Sequence, residues 1–236
     1  MRRVLKIAVE WGRLPYAPAI HELPQPDGRD RVVSFVEEAK YLANASDNLR
    51  DATILAVDTG MRPNTELFPL KWLEVELIAR PESPHGAIYV REGKTENAKR
   101  SIPLTPRAAE VLHRRKKEAD RNAECSLFVF PGAGDSGHIV SFQHPHRDAV
   151  ENAGLEPFVF YSWRHTFGTR AAQSGMDRFS LARLMGHSSP SVAARYYVHV
   201  TEPHVAAGFE KFVQYQTHNI AQGLTNAFPE TTRAVQ

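Results

Sequence analysis

Residues 75–104 read VELIARPESPHGAIYVREGKTENAKRSIPL, and this stretch decides the fold. Within it Val75 to Ala79, Ala87 to Arg91 and Arg100 to Leu104 read as three short strands. A Pro/Gly-rich turn and a Lys/Thr/Asn-rich turn separate them. Connections this short pair neighbouring strands antiparallel. On either side the apolar residues follow a helical period. The expected class is α+β, mainly α: a helical domain carrying one small three-stranded antiparallel sheet.

Downstream, Thr105-Pro106 places an N-cap before a proline at the first helical position, opening a basic helix that runs to about Asp120. Leu127 to Phe130 is a short buried run, followed by a loop over Pro131 to Gly137. Helices are expected over Ser141–Ala153, Phe160–Ser174, Asp177–Met185 and Pro190–His199, and near Pro203–Gln216 ahead of a polar tail. Upstream, Ser34-Phe-Val-Glu37 fits a capping box for a helix to about Ala45. Asp47 is positioned to cap a second helix ending near Gly60, and Thr65 to Trp72 is a short helical segment broken by Pro69. At the start, Val4, Ile7, Ala8 and Trp11 make a one-sided helix closed by Gly12. The Pro-, Gly- and charge-rich residues 14–30 read as a linker. The expected organisation is a trailing helix and linker of a mostly absent preceding domain over 1–30, a main domain over 31–210 and a tail over 211–236.

The 236 residues are 42% apolar and 24% charged, the composition of a globular chain long enough for one substantial core. No uninterrupted apolar run exceeds four residues, against the roughly 20 that a spanning helix needs. Lys6 and Glu10 break any signal-like apolar stretch, and the single Cys125 excludes an internal disulfide framework. A cytoplasmic, membrane-free address is the default expectation. The net charge of +2 is too small to announce a nucleic-acid partner, but ten Lys/Arg against five Asp/Glu lie between Arg91 and Arg121. Taken alone, that cluster reads as a solvated helix face.

Four polar islands carry the chemistry: Thr59-Gly-Met-Arg62-Pro-Asn-Thr-Glu66; Gly93-Lys94-Thr95 with Lys99-Arg100-Ser-Ile-Pro-Leu; Tyr161-Ser-Trp-Arg164-His165-Thr-Phe; and Leu184-Met-Gly-His187 with Arg195-Tyr196-Tyr197. Singly each has a dull reading. Arg62 and Glu66 fit an i,i+4 surface pair, Lys94 an exposed turn, His187 a helix C-cap and Tyr196 a core position. The histidines His113, His144, His146, His199 and His204 lack the carboxylate or thiol partners of a recognised zinc spacing, so no metal site is expected. Phosphate-loop and serine-elbow motifs are absent from the sequence.

As a set, the islands resemble the tyrosine recombinase (phage integrase) family over residues 31 to about 210. Arg62 with Glu66 resembles its first arginine box and Arg164-His165-Thr-Phe its second. His187 stands 23 residues past Arg164, and Tyr196 nine beyond His187, as in the family pattern. The resemblance implies a DNA breaking-rejoining fold and a site-specific recombinase or integrase that forms a 3′-phosphotyrosine intermediate on double-stranded DNA. It further implies a homo-oligomer, a tetramer on synapsed DNA, with no nucleotide cofactor and no metal.

On this resemblance Arg62 and Arg164 hold the phosphate, since a guanidinium stays charged and donates in a planar fork. Tyr196 is the nucleophile, His187 eases its deprotonation, and Lys94, with Lys99 as competitor, protonates the departing 5′-oxygen. Glu66 orients Arg62. Tyr161 stands where the family usually has histidine; it can donate to phosphate but cannot shuttle a proton near pH 7. The interval from His187 selects Tyr196, whereas a Tyr-x-His pattern through His199 selects Tyr197. Two other readings share the motifs: a strand-relaxing topoisomerase, and a silent DNA-binding remnant of a mobile element.

Overall fold

A computed structural model of the chain describes residues 2–18, 31–91, 99–121 and 126–187. The chain divides into a unit over 1–30 and a unit over 31–236. In the first, α1 (Arg2–Glu10) is followed by a turn in which Gly12 N–H donates to Val9 O.

The second unit is built from α2 (Phe35–Asn44), α3 (Asp47–Thr59), a wide five-residue turn over Pro63–Leu67, β1 (Val75–Glu76), β2 (Ala87–Val90), β3 (Arg100–Pro103), α4 (Pro106–Arg121), α5 (Gln143–Asn152), α6 (Ser162–Gln173) and α7 (Arg178–Met185). The expected mainly helical architecture with one small sheet is what forms. The strands run β1-β2-β3, antiparallel throughout, with Val75 opposite Ile88 and Ile88 opposite Ile102. They are shorter than the pattern predicts, two to four residues each. Along β3 burial alternates, so Arg100 and Ile102 face inward while Ser101 faces out. Alternation is the pleat's doing, and here it carries a charged side chain into the interior.

Helix α3 is the hub, packed on α4 and α6 while α2 packs on α5. Leu49, Ala52, Leu55 and Ala56 of α3 are buried, the alanines allowing close approach of neighbours. Around them lie Tyr41, Leu112, Phe130 and the fully buried Trp163. Each large apolar side chain taken wholly from water contributes about 1.5–3 kcal/mol before entropy is set against it. A second, smaller cluster of Leu181, Ala182 and Met185 with Ala171 fastens α7 to α6.

Local signals are mostly realised. Ser34 accepts from Glu37 N–H while the Glu37 carboxylate accepts from Ser34 N–H, the reciprocal cap expected. Asp177 caps α7 by accepting from Phe179 and Ser180. Three expectations are corrected. Ser46, not Asp47, is the N-cap residue of α3; Asp47 is already helical and spends its carboxylate on Arg50. The segment from Thr65 to Trp72 is not one helix: the wide turn closes at Leu67, and Trp72–Glu74 forms a separate 3-10 turn. The basic face of α4 is not merely solvated. Arg114 and Arg115 reach the fully buried Asp51 of α3, and Arg107 reaches Asp58 and Glu38. The buried carboxylates, Asp51 on α3 and Glu38 on α2, need those partners. The expected helices over Pro190–His199 and Pro203–Gln216 lie outside the described residues, as does the tail.

Candidate active site

The second polar cluster of the fold sits where α7 ends. Gly186 closes that helix in the left-handed region, at φ 64°, which costs glycine little because it has no Cβ. The His187 N–H returns to Ala182 O at 2.9 Å, the closing bond of a Schellman-type cap. A helix end of this kind leaves its last carbonyls without intrahelical donors and bears partial negative charge.

Three guanidiniums supply the donors. Arg100 from β3 gives Nε–H to Leu184 O at 2.6 Å. Arg164 from α6 gives an Nη2 hydrogen to Met185 O at 2.6 Å. Arg62, at the entrance to the wide turn, gives an Nη2 hydrogen to Gly186 O at 2.7 Å. Three consecutive carbonyls are thus each taken by an arginine from a different element. Arg164 is wholly buried and also donates through Nη1 to Gly60 O at 2.5 Å, tying the end of α3 to the end of α7.

Among the described residues, Glu66 is the one carboxylate of the cluster. Its Oε1 accepts from Arg62 Nη1 at 2.5 Å and from Arg100 Nη1 at 3.1 Å, and its Oε2 accepts from Arg100 Nη2 at 2.8 Å. The same Oε2 accepts the Arg62 backbone N–H at 2.8 Å, so Glu66 also closes the turn that carries Arg62. Pro63 helps place this turn by starting it at the first helical position. Burial pushes the Glu66 carboxyl up, but the hydrogen bonds and charges of Arg100 and Arg62 outweigh it and hold the group below its ordinary value. Among the described residues, three cations against one anion give the cluster a net +2.

His187 follows directly in the chain. Burial, then the positive charges of Arg164, Arg62 and Arg100, then His165, push its imidazole down to about 4. At neutral pH it is therefore uncharged. Arg164 is lowered from its usual value by burial and by Arg62 and Arg100, against opposing contributions from Tyr161 and Glu66; a guanidinium so shifted still keeps its proton. Tyr161 precedes α6, is 43% exposed, and sets its ring edge-on to His165 at 5.2 Å.

Of the expected site residues, the fold brings Arg62, Glu66, Arg164 and His187 into one cluster, with Tyr161 at its margin. Lys94, Tyr196 and Tyr197 lie outside the described residues. Arg100 is the residue that the motif reading passed over. It was visible only as part of a Lys-Arg-x-x-Pro strand, although its inward register with Ile102 is the signal that marks it. The His144-Pro-His146 pair is not a ligand set: His146 is buried, with Nδ1 2.6 Å from the Tyr41 hydroxyl and Nε2 2.8 Å from Phe158 O.

What the cluster can do follows from its charge. It holds three guanidiniums fixed in a largely buried cluster from which Arg62 is partly exposed, and preorganised positive charge of this kind stabilises an anion whose charge grows during reaction. Beside them stands an imidazole held neutral by burial and by the three arginines, in the state in which one ring nitrogen accepts a hydrogen bond.

Residues 29–204 match the model of the phage integrase family. A protein described as tyrosine recombinase XerC-like, from Caldanaerobacter subterraneus subsp. tengcongensis, is 24% identical over 193 residues, covering 70% of this chain and 49% of that protein. Tyrosine recombinase XerD of Listeria monocytogenes is 27% identical over 215 residues, 85% of this chain and 69% of that one. Among solved structures, the Tn1549 transposon integrase in complex with circular intermediate DNA superposes with a TM-score of 0.67 at 19% identity, over 88% of this chain and 75% of that one. The chain spans about half the length of several of the curated relatives it matches.

Proposed function

This chain belongs to the phage integrase family, and from that premise we propose that it is a site-specific DNA recombinase acting through a covalent 3′-phosphotyrosine. The observation that carries the reading is the convergence of Arg62, Arg100 and Arg164 on the end of α7, around the Glu66 carboxylate and beside neutral His187. A phosphodiester is an anion whose non-bridging oxygens gain charge under in-line attack, and a net positive, preorganised pocket meets that need.

In the proposed reaction the Tyr196 hydroxyl gives up its proton with His187 as acceptor and attacks phosphorus. The bond from phosphorus to the 5′-oxygen breaks, and that oxygen takes a proton from Lys94. The DNA 3′-phosphate is left esterified to the tyrosine. Attack by a 5′-hydroxyl of the exchanged strand reverses each step, so one phosphodiester replaces another without an external energy source. Arg62 and Arg164 bind the phosphate, Glu66 orients Arg62, and Tyr161 offers a hydrogen bond at the pocket's margin but no proton relay near pH 7. Residues 31–210 form the catalytic domain in this reading. The substrate is double-stranded DNA, synapsed by four copies of the chain in the cytoplasm. The support for the oligomer, the compartment and the roles of Lys94 and Tyr196 is family membership and motif spacing.

The test is capture of a covalent adduct on a pool of nicked duplexes with randomised core sequence, where loss of the short fragment traps the intermediate. The wild-type chain forms an adduct on a selected sequence, and Tyr196→Phe abolishes it. An adduct lost in Tyr197→Phe but kept in Tyr196→Phe moves the nucleophile by one residue. No adduct on any duplex of the pool overturns the reading.

A further inference from the structure

Arg100 is almost entirely buried, yet it is the arginine most tightly committed. Its side chain is 1% exposed against 30% for Arg62. One edge of its fork takes both oxygens of Glu66, through Nη1 at 3.1 Å and Nη2 at 2.8 Å, while Nε holds Leu184 O at 2.6 Å. Glu66 in turn holds both the side chain and the backbone N–H of Arg62. Gly186 leaves no spare room beside it: a Cβ there would stand 2.8 Å from Arg100 Nη1.

We propose that Arg100 is a positioning residue for strand cleavage, locking the β-sheet to the end of α7 and fixing Glu66 so that Arg62 is aimed at the scissile phosphate. This rests on the recombinase reading above. Three contacts in one plane explain why the residue is arginine. A lysine ammonium is a point charge and cannot bond both carboxylate oxygens and a carbonyl on its opposite edge. Without the lock, Glu66 is held by Arg62 alone, and the Arg62–Glu66 pair, closed at 2.5 Å in the structure, loses the contacts that fix its direction. Arg62 is then no longer aimed at the scissile phosphate. Arg100 itself does not reach the phosphate in this scheme. Its contribution is geometric, and small misplacements of a reacting group are costly in rate.

The test uses the intact chain and the duplex selected by adduct capture. With Arg100→Lys, the single-turnover rate of adduct formation at saturating DNA falls by about ten- to a hundred-fold, while the Kd for the same duplex stays within about two-fold of wild type. On a duplex carrying an uncharged methylphosphonate at the scissile position, the gap to wild type shrinks to a few-fold, because there is less charge for Arg62 to hold. A spectroscopic readout on the unmutated protein covers the case in which the variant fails to fold. The Arg100 Nε–H signal exchanges slowly with solvent and stays in place when duplex is added, while the Arg62 guanidinium signals shift. Wild-type cleavage by Arg100→Lys overturns the proposal, as does a loss that persists on the methylphosphonate and follows loss of DNA affinity. An Arg100 Nε–H signal that shifts on DNA binding also overturns it. If the wild-type chain forms no adduct, the recombinase reading itself has failed, a result distinct from any of these.

Discussion

Substitution of Gly186 by alanine probes the junction on which the whole cluster depends. The residue sits at φ 64°, and an added Cβ would lie 2.8 Å from Arg100 Nη1, 3.1 Å from its Cζ and 3.3 Å from Arg62 Nη1. Holding alanine in the left-handed region costs about 1–2 kcal/mol. The crowded guanidinium is not a free chain end, since it is pinned by Glu66 and Leu184 O. Its retreat forfeits at least one charge-assisted hydrogen bond, worth about 1.5–3 kcal/mol. The combined loss is about 2.5–5 kcal/mol, a fall in Tm of about 10 °C for a chain of this size. Gly154→Ala is the matched control, because Gly154 has the same φ of 64° and no atom within 4 Å of an added Cβ. It should lose only the conformational part. Thermal unfolding of both variants, with adduct formation on the selected duplex, checks this. Equal Tm losses in the two variants, with Gly186→Ala still cleaving at the wild-type rate, would refute the claim that Arg100 and Arg62 are packed against the end of α7.

Two further outcomes are expected. His187 is held down to about 4, chiefly by burial and then by its three arginine neighbours, and His146 is lowered by burial against its hydrogen bond to Phe158 O. In both, the folded value lies below the unfolded one, so the unfolded chain binds more protons on acidification. Their stabilising contribution is complete above about pH 6.5 and declines as pH falls below it, for His187 down to about 4. Urea midpoints measured across that range should fall, and the His187 imidazole resonance should titrate below pH 5; constant midpoints contradict the linkage. Asp51→Ala removes a fully buried carboxylate that holds Arg114 and Arg115, the latter side chain only 10% exposed. A loss of about 3–5 kcal/mol is expected by denaturant unfolding, and a loss under about 1 kcal/mol would show the pair behaving as a surface bridge.

The elements that were legible in advance are those whose signals are local. The capping box at Ser34, the cap at Asp177 and the change of period over residues 75–104 each depend on residues within a few positions of one another. Where a neighbour in space competes, local reading fails. The arginines of α4 look like a solvated face until Asp51, Asp58 and Glu38 are placed beneath them. Strand ends were overextended because pairing partners, not propensity, decide where a ladder stops.

By itself, the order of residues determined the family and the mainly helical class, and it singled out Arg62, Glu66, Arg164 and His187 as candidates, because spacing along a chain survives as a pattern of chemistry. Only the tertiary structure decided that Arg62, Arg100 and Arg164, from a turn, a strand and a helix, share the consecutive carbonyls of Leu184, Met185 and Gly186 where α7 ends. A hydrogen bond between residues 84 or 124 positions apart leaves no local trace. It forms because α7 is packed where exposed carbonyls and buried cations compensate one another, and that compensation exists only once the elements have met.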